Sequence, residues 1–194
     1  MLVGLTGGIG SGKSTVAKIF KSFDIPVFNS DNEAKNIINN DKEVIRLITN
    51  GFGSIYEKGK LNTQKMADLV FKDETALKNL NNIIHPRVKE SFKEWVLENT
   101  NAKILIKEAA ILIEAGAYKE LDKVILVTAP EKIRIKRVVK RDTISEEKVV
   151  ARMKSQFSDE EKLNYANFNI VNDGKQLVIP QVIKTYNQLK SLND

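Results

Sequence analysis

Eight consecutive residues, Gly7-Gly8-Ile9-Gly10-Ser11-Gly12-Lys13-Ser14, satisfy the pattern G-x-x-x-x-G-K-[ST]. Residues of these types at this spacing cradle a triphosphate. Glycines let the main chain wrap an anion closely, so that successive N–H groups converge on it. The amides at the start of the following helix and the positive end of its dipole add to the attraction. In this chemistry Lys13 bridges the β- and γ-phosphates, and the Ser14 hydroxyl is a Mg²⁺ ligand. Gly8, Gly10, Ser11, Gly12, Lys13, Ser14 and Thr15 are therefore the candidate nucleotide contacts.

Carboxylates supply the second chemical signal. Glu108 ends the apolar run Lys103–Lys107, and an acid ending a strand is where phosphoryl-transfer enzymes hold Mg²⁺, usually through water. Asp31 follows the short run Ile25–Phe28. It is either a proton acceptor at the ligand-binding edge of a sheet or only the cap of the next helix. Arg134, Arg137 and Arg141 fall at i, i+3 and i+7, one stripe of a basic helix that is either solvated or a clamp on phosphates. His85 is the single histidine, so a multi-histidine metal site is impossible; before Pro86 it reads first as a packing or capping residue. Arg87 reads equally as a solvated charge or a phosphate ligand.

These groups need a scaffold, and the apolar patterning describes one. Leu2–Thr6 is a buried strand and Thr15–Phe20 a helix, the flanks that the glycine loop requires. Further strands are expected at Ile25–Phe28, Lys103–Glu108, Lys123–Thr128 and Phe168–Asn172, the third near-continuously apolar as parallel strands are. Residues 41–100 read as helical, with apolar sets at Val44, Ile45, Leu47 and Ile48, at Met66, Leu69, Val70 and Phe71, and at Leu77, Leu80, Ile83 and Ile84. His85-Pro86-Arg87 is expected to break this run, with Pro86 in the first turn of a new helix through Trp95. Thr143-Ile144-Ser145-Glu146 and Ser158-Asp159-Glu160-Glu161 have the form of capping boxes and open two short helices that suit a mobile lid. The last helix is expected from Gln181 to Leu192, with Pro180 in its first turn.

Composition narrows the class. A chain of 194 residues accommodates one α/β domain with insertions. The absence of cysteine removes disulfides, thiolate metal sites and thiol nucleophiles. A net charge of +6 suits polyanionic small ligands. The N-terminus lacks a basic leader and no apolar run has membrane length, so a cytoplasmic protein without a membrane partner is expected.

In their order along the chain these features resemble the dephospho-CoA kinase family. The resemblance spans nearly the whole sequence: Leu5–Val16, the D-x-D-like Asn29-Ser30-Asp31, His85-Pro86, the segment Glu108–Glu114 like D-x-P-L-L-F-E, Arg137–Asp142 like R-x-x-x-R-D, Arg152–Gln156 with Lys162, and Asn172-Asp173-Gly174. Two positions depart from the pattern, Asn29 for the first acid and Ala110 for the proline. The resemblance implies a P-loop NTPase fold, a parallel β-sheet flanked by helices. Its core is expected at 1–40, 101–142 and 166–194, with a helical CoA-binding insertion at about 41–100 and a short helical lid at about 143–165. It implies transfer of the ATP γ-phosphoryl group, with Mg²⁺, to the ribose 3′-hydroxyl of dephospho-CoA. Lys13, Asp31 and Arg141 are then catalytic, and Arg137 and Asn172 join the nucleotide contacts. Asp31, His85, Arg87, Glu108, Leu112, Glu114 and Arg152 become substrate contacts.

A monomer or weak homo-oligomer is expected. The main rival is a P-loop kinase acting on a nucleotide or sugar. A guanine-nucleotide switch lacks its N-K-x-D and D-x-x-G elements here, and a nucleic-acid binder lacks aromatics in register, so no nucleic-acid partner is expected.

Overall fold

The computed structural model describes residues 1–70 and 73–192; Phe71 lies outside them. The chain begins with strand β1 (Leu2–Thr6), helix α1 (Lys13–Lys21), β2 (Val27–Asn29), α2 (Ser30–Asn40) and α3 (Lys42–Phe52). It continues through β3 (Tyr56–Glu57), β4 (Lys60–Leu61), α4 (Thr63–Val70) and α5 (Glu74–Glu98). The remainder is β5 (Leu105–Glu108), β6 (Lys123–Thr128), α6 (Glu131–Asp142), α7 (Glu146–Lys154), α8 (Asp159–Leu163), β7 (Phe168–Val171) and α9 (Val178–Ser191). Two compact units result, Met1–Asn29 with Asn99–Asp194, and Ser30–Glu98. Residues 30–40, expected with the core, group with the helical unit, because α2 packs along α5. No helix among the described residues is long and apolar enough to cross a membrane.

In the first unit five parallel strands lie in the order β2-β5-β1-β6-β7. The chain leaves β1 towards β2 and β5 on one side and then crosses to β6 and β7 on the other. The carboxyl end of β1 is thus a switch point, where open α/β sheets bind ligands. Val3, Leu5, Ile106, Ile125, Val127 and Ile170 form one buried cluster with Val16, Ala17 and Phe20 of α1 and Val182 and Leu189 of α9. On the second face Leu112 and Val124 pack with Ala109, and a side chain on Gly4 would overlap Leu112. Pro180 falls in the first turn of α9, where its missing N–H costs no helical bond.

The second unit is built round Ile37, Val44, Ile48, Met66, Leu80 and Ile84. Lys58 and Gly59 both have positive φ, 50° and 77°, and so make the tight turn between β3 and β4. The expected break at His85-Pro86 does not occur: α5 is one helix with Pro86 inside it. Proline there forfeits a backbone bond at a cost of about 3 kcal/mol. Burial of Leu80 and Ile84 on one side of it and Phe92 on the other offsets that loss.

Asp41 caps α3, accepting from the amides of Glu43 at 2.9 Å and Val44 at 3.1 Å. Arg87 binds its Oδ2 through Nε at 3.0 Å and Nη2 at 2.7 Å. The Arg87 hydrogen bonds, with the cap amides, hold the Asp41 carboxyl below the usual aspartate range. A lowered folded-state pKa stabilises above the unfolded-state value, and that contribution disappears as pH falls through the folded-state value. The melting-temperature gap between wild type and Arg87→Ala should therefore be present at neutral pH and close in acid below the ordinary aspartate range. A gap independent of pH would mean that Arg87 stabilises by packing alone.

Candidate active site

β1 delivers the chain to the sheet's carboxyl edge, and the loop from Gly7 to Gly12 turns it into α1. Gly12 has φ +100°, and a Cβ on it would strike the Asn172 amide. Gly10 has φ +79°, and a Cβ there would lie 2.6 Å from the Arg134 carbonyl oxygen. Both positions therefore demand glycine for conformation and for space. Lys13 Nζ donates to the Gly7 carbonyl at 2.8 Å, so its ammonium lies back over the loop. Ser14 and Thr15 are exposed in the first turn of α1.

The metal-binding expectation acquires a geometry. Ser14 Oγ donates to Glu108 Oε1 at 3.0 Å, and Asn29 Nδ2 donates to Glu108 Oε2 at 2.7 Å. Glu108 is buried at 4% exposure. Its strand β5 lies between β1 and β2, which is why one carboxylate reaches both the loop helix and the end of β2. No cluster of three or more His, Cys, Asp or Glu suited to a metal exists among the described residues. One hydroxyl and one carboxylate are nevertheless an oxygen donor set that fits Mg²⁺, which takes few protein ligands and completes its shell with water and phosphate.

Behind the loop, Asn172 at the end of β7 donates to the Ser11 carbonyl at 2.8 Å. Arg137 donates to Asn172 O and Oδ1 at 3.1 Å each and reaches the carbonyls of Gly10 at 3.4 Å and Ser11 at 3.3 Å. Both expected nucleotide contacts thus brace the loop from its carbonyl side. Ser11 Oγ is buried without a hydrogen-bond partner among the described residues.

Two further residues, Arg134 and Gln156, hold the loop. Arg134, placed in a basic stripe opposite the apolar one, is instead buried on the same face as Val138. Its guanidinium covers Gly8, donates to the Ile9 carbonyl at 3.0 Å and pairs with Asp159 at 3.1 Å. Gln156 Oε1 accepts from the Ile9 amide at 2.8 Å. The Ile9 peptide is therefore held on one side by α6 and on the other by the segment between α7 and α8. The arginine stripe was the available signal for Arg134, and the family-like segment Arg152–Gln156 was the one for Gln156.

Other expected residues stand elsewhere. Arg141 is exposed and pairs with Asp142 at 2.6 Å, which also holds Arg152 at 3.4 Å; no hydrogen bond joins Arg141 to the loop among the described residues. Leu112, expected at the substrate, is a core residue at 1% exposure. Glu114 accepts from the Phe157 amide at 3.1 Å and lies 3.0 Å from the Nζ of fully buried Lys162, an ion pair off the hydrogen-bonding direction. It anchors α8 to the loop after β5. The Thr143 box does not form: Thr143 ends α6 in the left-handed conformation and Ser145 precedes α7. The Ser158–Glu161 box does form. In the helical unit, Asp31 lies in the first turn of α2, which starts at Ser30, so it is not the cap. His85 is exposed on α5, and Arg87 is engaged with Asp41 and, at 2.7 Å, with Glu90.

A family model described as dephospho-CoA kinase matches residues 1–177. A Bacteroides fragilis dephospho-CoA kinase is 40% identical over 183 residues, covering 94% of this chain and 89% of the relative. A solved structure from Thermus thermophilus superposes with a TM-score of 0.85 at 31% identity, covering 98% of this chain and 96% of the other. A Campylobacter jejuni dephospho-CoA kinase gives a TM-score of 0.72 at 28% identity, covering 100% and 98%.

Proposed function

The chain belongs to the dephospho-CoA kinase family, and on that footing we propose that it transfers the γ-phosphoryl group of Mg²⁺-bound ATP to the ribose 3′-hydroxyl of dephospho-CoA, completing coenzyme A. The observation that carries the reading is the Ser14–Glu108 pair at the start of α1, set beside a loop in which Gly10 and Gly12 take the left-handed backbone that only glycine adopts readily. Mg²⁺, when bound there, supplies charge neutralisation on the phosphates. Lys13 exchanges the Gly7 carbonyl for the β- and γ-phosphates. The ribose oxygen bonds to the γ-phosphorus as the bond from that phosphorus to the bridging oxygen breaks, and ADP leaves. Asp31 takes the hydroxyl proton.

We take Ser30–Glu98 as the CoA-binding insertion and residues 143–165 as the lid, with His85, Arg87 and Arg152 on the substrate side. The protein works in the cytoplasm as a monomer or weak homo-oligomer, without a nucleic-acid partner. Arg141 acts late: it leaves Asp142 and approaches the transferring phosphoryl group as the lid closes. Arg141→Ala should lower kcat far more than it weakens ATP binding, as loss of a contact made only in the transition state does. Equal losses in steady-state kinetics and ATP titration would make Arg141 a ground-state ligand. The substrate assignment is tested by offering dephospho-CoA, AMP, adenosine and shikimate in parallel and following ADP release. Preference for dephospho-CoA supports it, and preference for another acceptor overturns it.

A further inference from the structure

Asn29 and Glu108 are register partners on the adjacent parallel strands β2 and β5, so their side chains meet at the same level of the sheet. The carboxylate of Glu108 divides its oxygens: Oε2 is held by Asn29 Nδ2 at 2.7 Å, and Oε1 is thereby turned to Ser14 Oγ at 3.0 Å. A glutamate has one more rotatable bond than an aspartate, so its carboxylate needs a fixed partner to keep one orientation. Asn29 is half-buried and supplies that partner without charge. A carboxylate at position 29 in the same contact would face that of Glu108, and like charges at this distance do not coexist unless a cation or a shared proton lies between them.

We propose that Asn29 is the positioning residue of the Mg²⁺ site: its amide orients Glu108 towards Ser14 and keeps the site assembled, with a single negative charge, before metal and nucleotide arrive. The inference rests on the Mg²⁺-nucleotide part of the function above and not on the identity of the acceptor.

Two variants test it, with Mn²⁺ as the probe. Mn²⁺ binding to the ADP complex is measured by electron paramagnetic resonance, ADP binding in EDTA by titration, and melting temperature with and without Mn²⁺. Asn29→Ala should weaken Mn²⁺ binding about 10–100-fold, the scale for losing a partner that orients a metal ligand, while ADP binding in EDTA is unchanged. Asn29→Asp should bind Mn²⁺ at least as tightly as wild type. Its melting temperature should fall in EDTA and recover when Mn²⁺ is added, a recovery larger than that of wild type.

Wild-type Mn²⁺ affinity in Asn29→Ala would overturn the proposal, and so would metal-independent destabilisation of Asn29→Asp. If Asn29→Asp does not fold, the Asn29→Ala measurement still decides. None of these readouts involves an acceptor, so a wrong substrate assignment would leave them standing, and their failure would leave that assignment standing.

Discussion

Asp31→Asn should fold and bind ATP as the wild type does while losing turnover by about 10²- to 10⁴-fold, the contribution of a positioned general base. Two effects compete at this residue, and their magnitudes separate them. Asp31 is an exposed acid in the first turn of α2, where its charge favours the helix by about 0.3–1 kcal/mol. The catalytic loss corresponds to roughly 3–5 kcal/mol of barrier, because each tenfold is about 1.4 kcal/mol. Asparagine is nearly isosteric, so the smaller effect leaves the fold intact and the larger one is read in kcat. Turnover within a few-fold of wild type would reduce Asp31 to a favourable charge at a helix terminus.

The second large effect belongs to stability. Lys162 is fully buried, and its Nζ lies 3.0 Å from Glu114 Oε1. Lys162 has left water altogether and Glu114 keeps 13% of its side chain exposed, so removing the lysine strands a mostly buried carboxylate; breaking a buried pair costs about 3–5 kcal/mol. Lys162→Met should lower the unfolding free energy obtained from urea titration by that much, while Lys162→Met combined with Glu114→Leu should be more stable than Lys162→Met alone, since no uncompensated charge remains. A Lys162→Met loss under about 1 kcal/mol, the range of a surface ion pair, would show that water reaches Glu114. The pair fastens α8 beside the sheet.

Local chemistry was readable in the chain wherever a motif is contiguous. Glu108 stood out as an acid ending an apolar strand, although its partner Ser14 is 94 positions away; the glycine loop and the Ser158 capping box lie within a few residues of the groups that they serve. Arg134 and Gln156 do not: their partner Ile9 is 125 and 147 positions away, and only the sheet brings them together. Arg137 and Asn172 were picked out by resemblance, but their present role, bracing loop carbonyls, depends on β7 lying beside β6. Pro86 misled because a local rule for helix termini was overruled by packing along both halves of α5. Thr143 misled for the opposite reason, since the end of α6 claimed it before the next helix could. Leu112 sat inside a family-like segment, yet an apolar residue opposite Gly4 is drawn into the core.

The chemistry is tested most directly by locating the phosphate on the product. A phosphorus–proton correlation spectrum of the material formed from ATP and dephospho-CoA should show a new phosphomonoester coupled to the ribose H3′. Coupling to any other proton, or no new phosphomonoester with active ATP and Mg²⁺ present, would contradict the assignment of the 3′-hydroxyl as the acceptor.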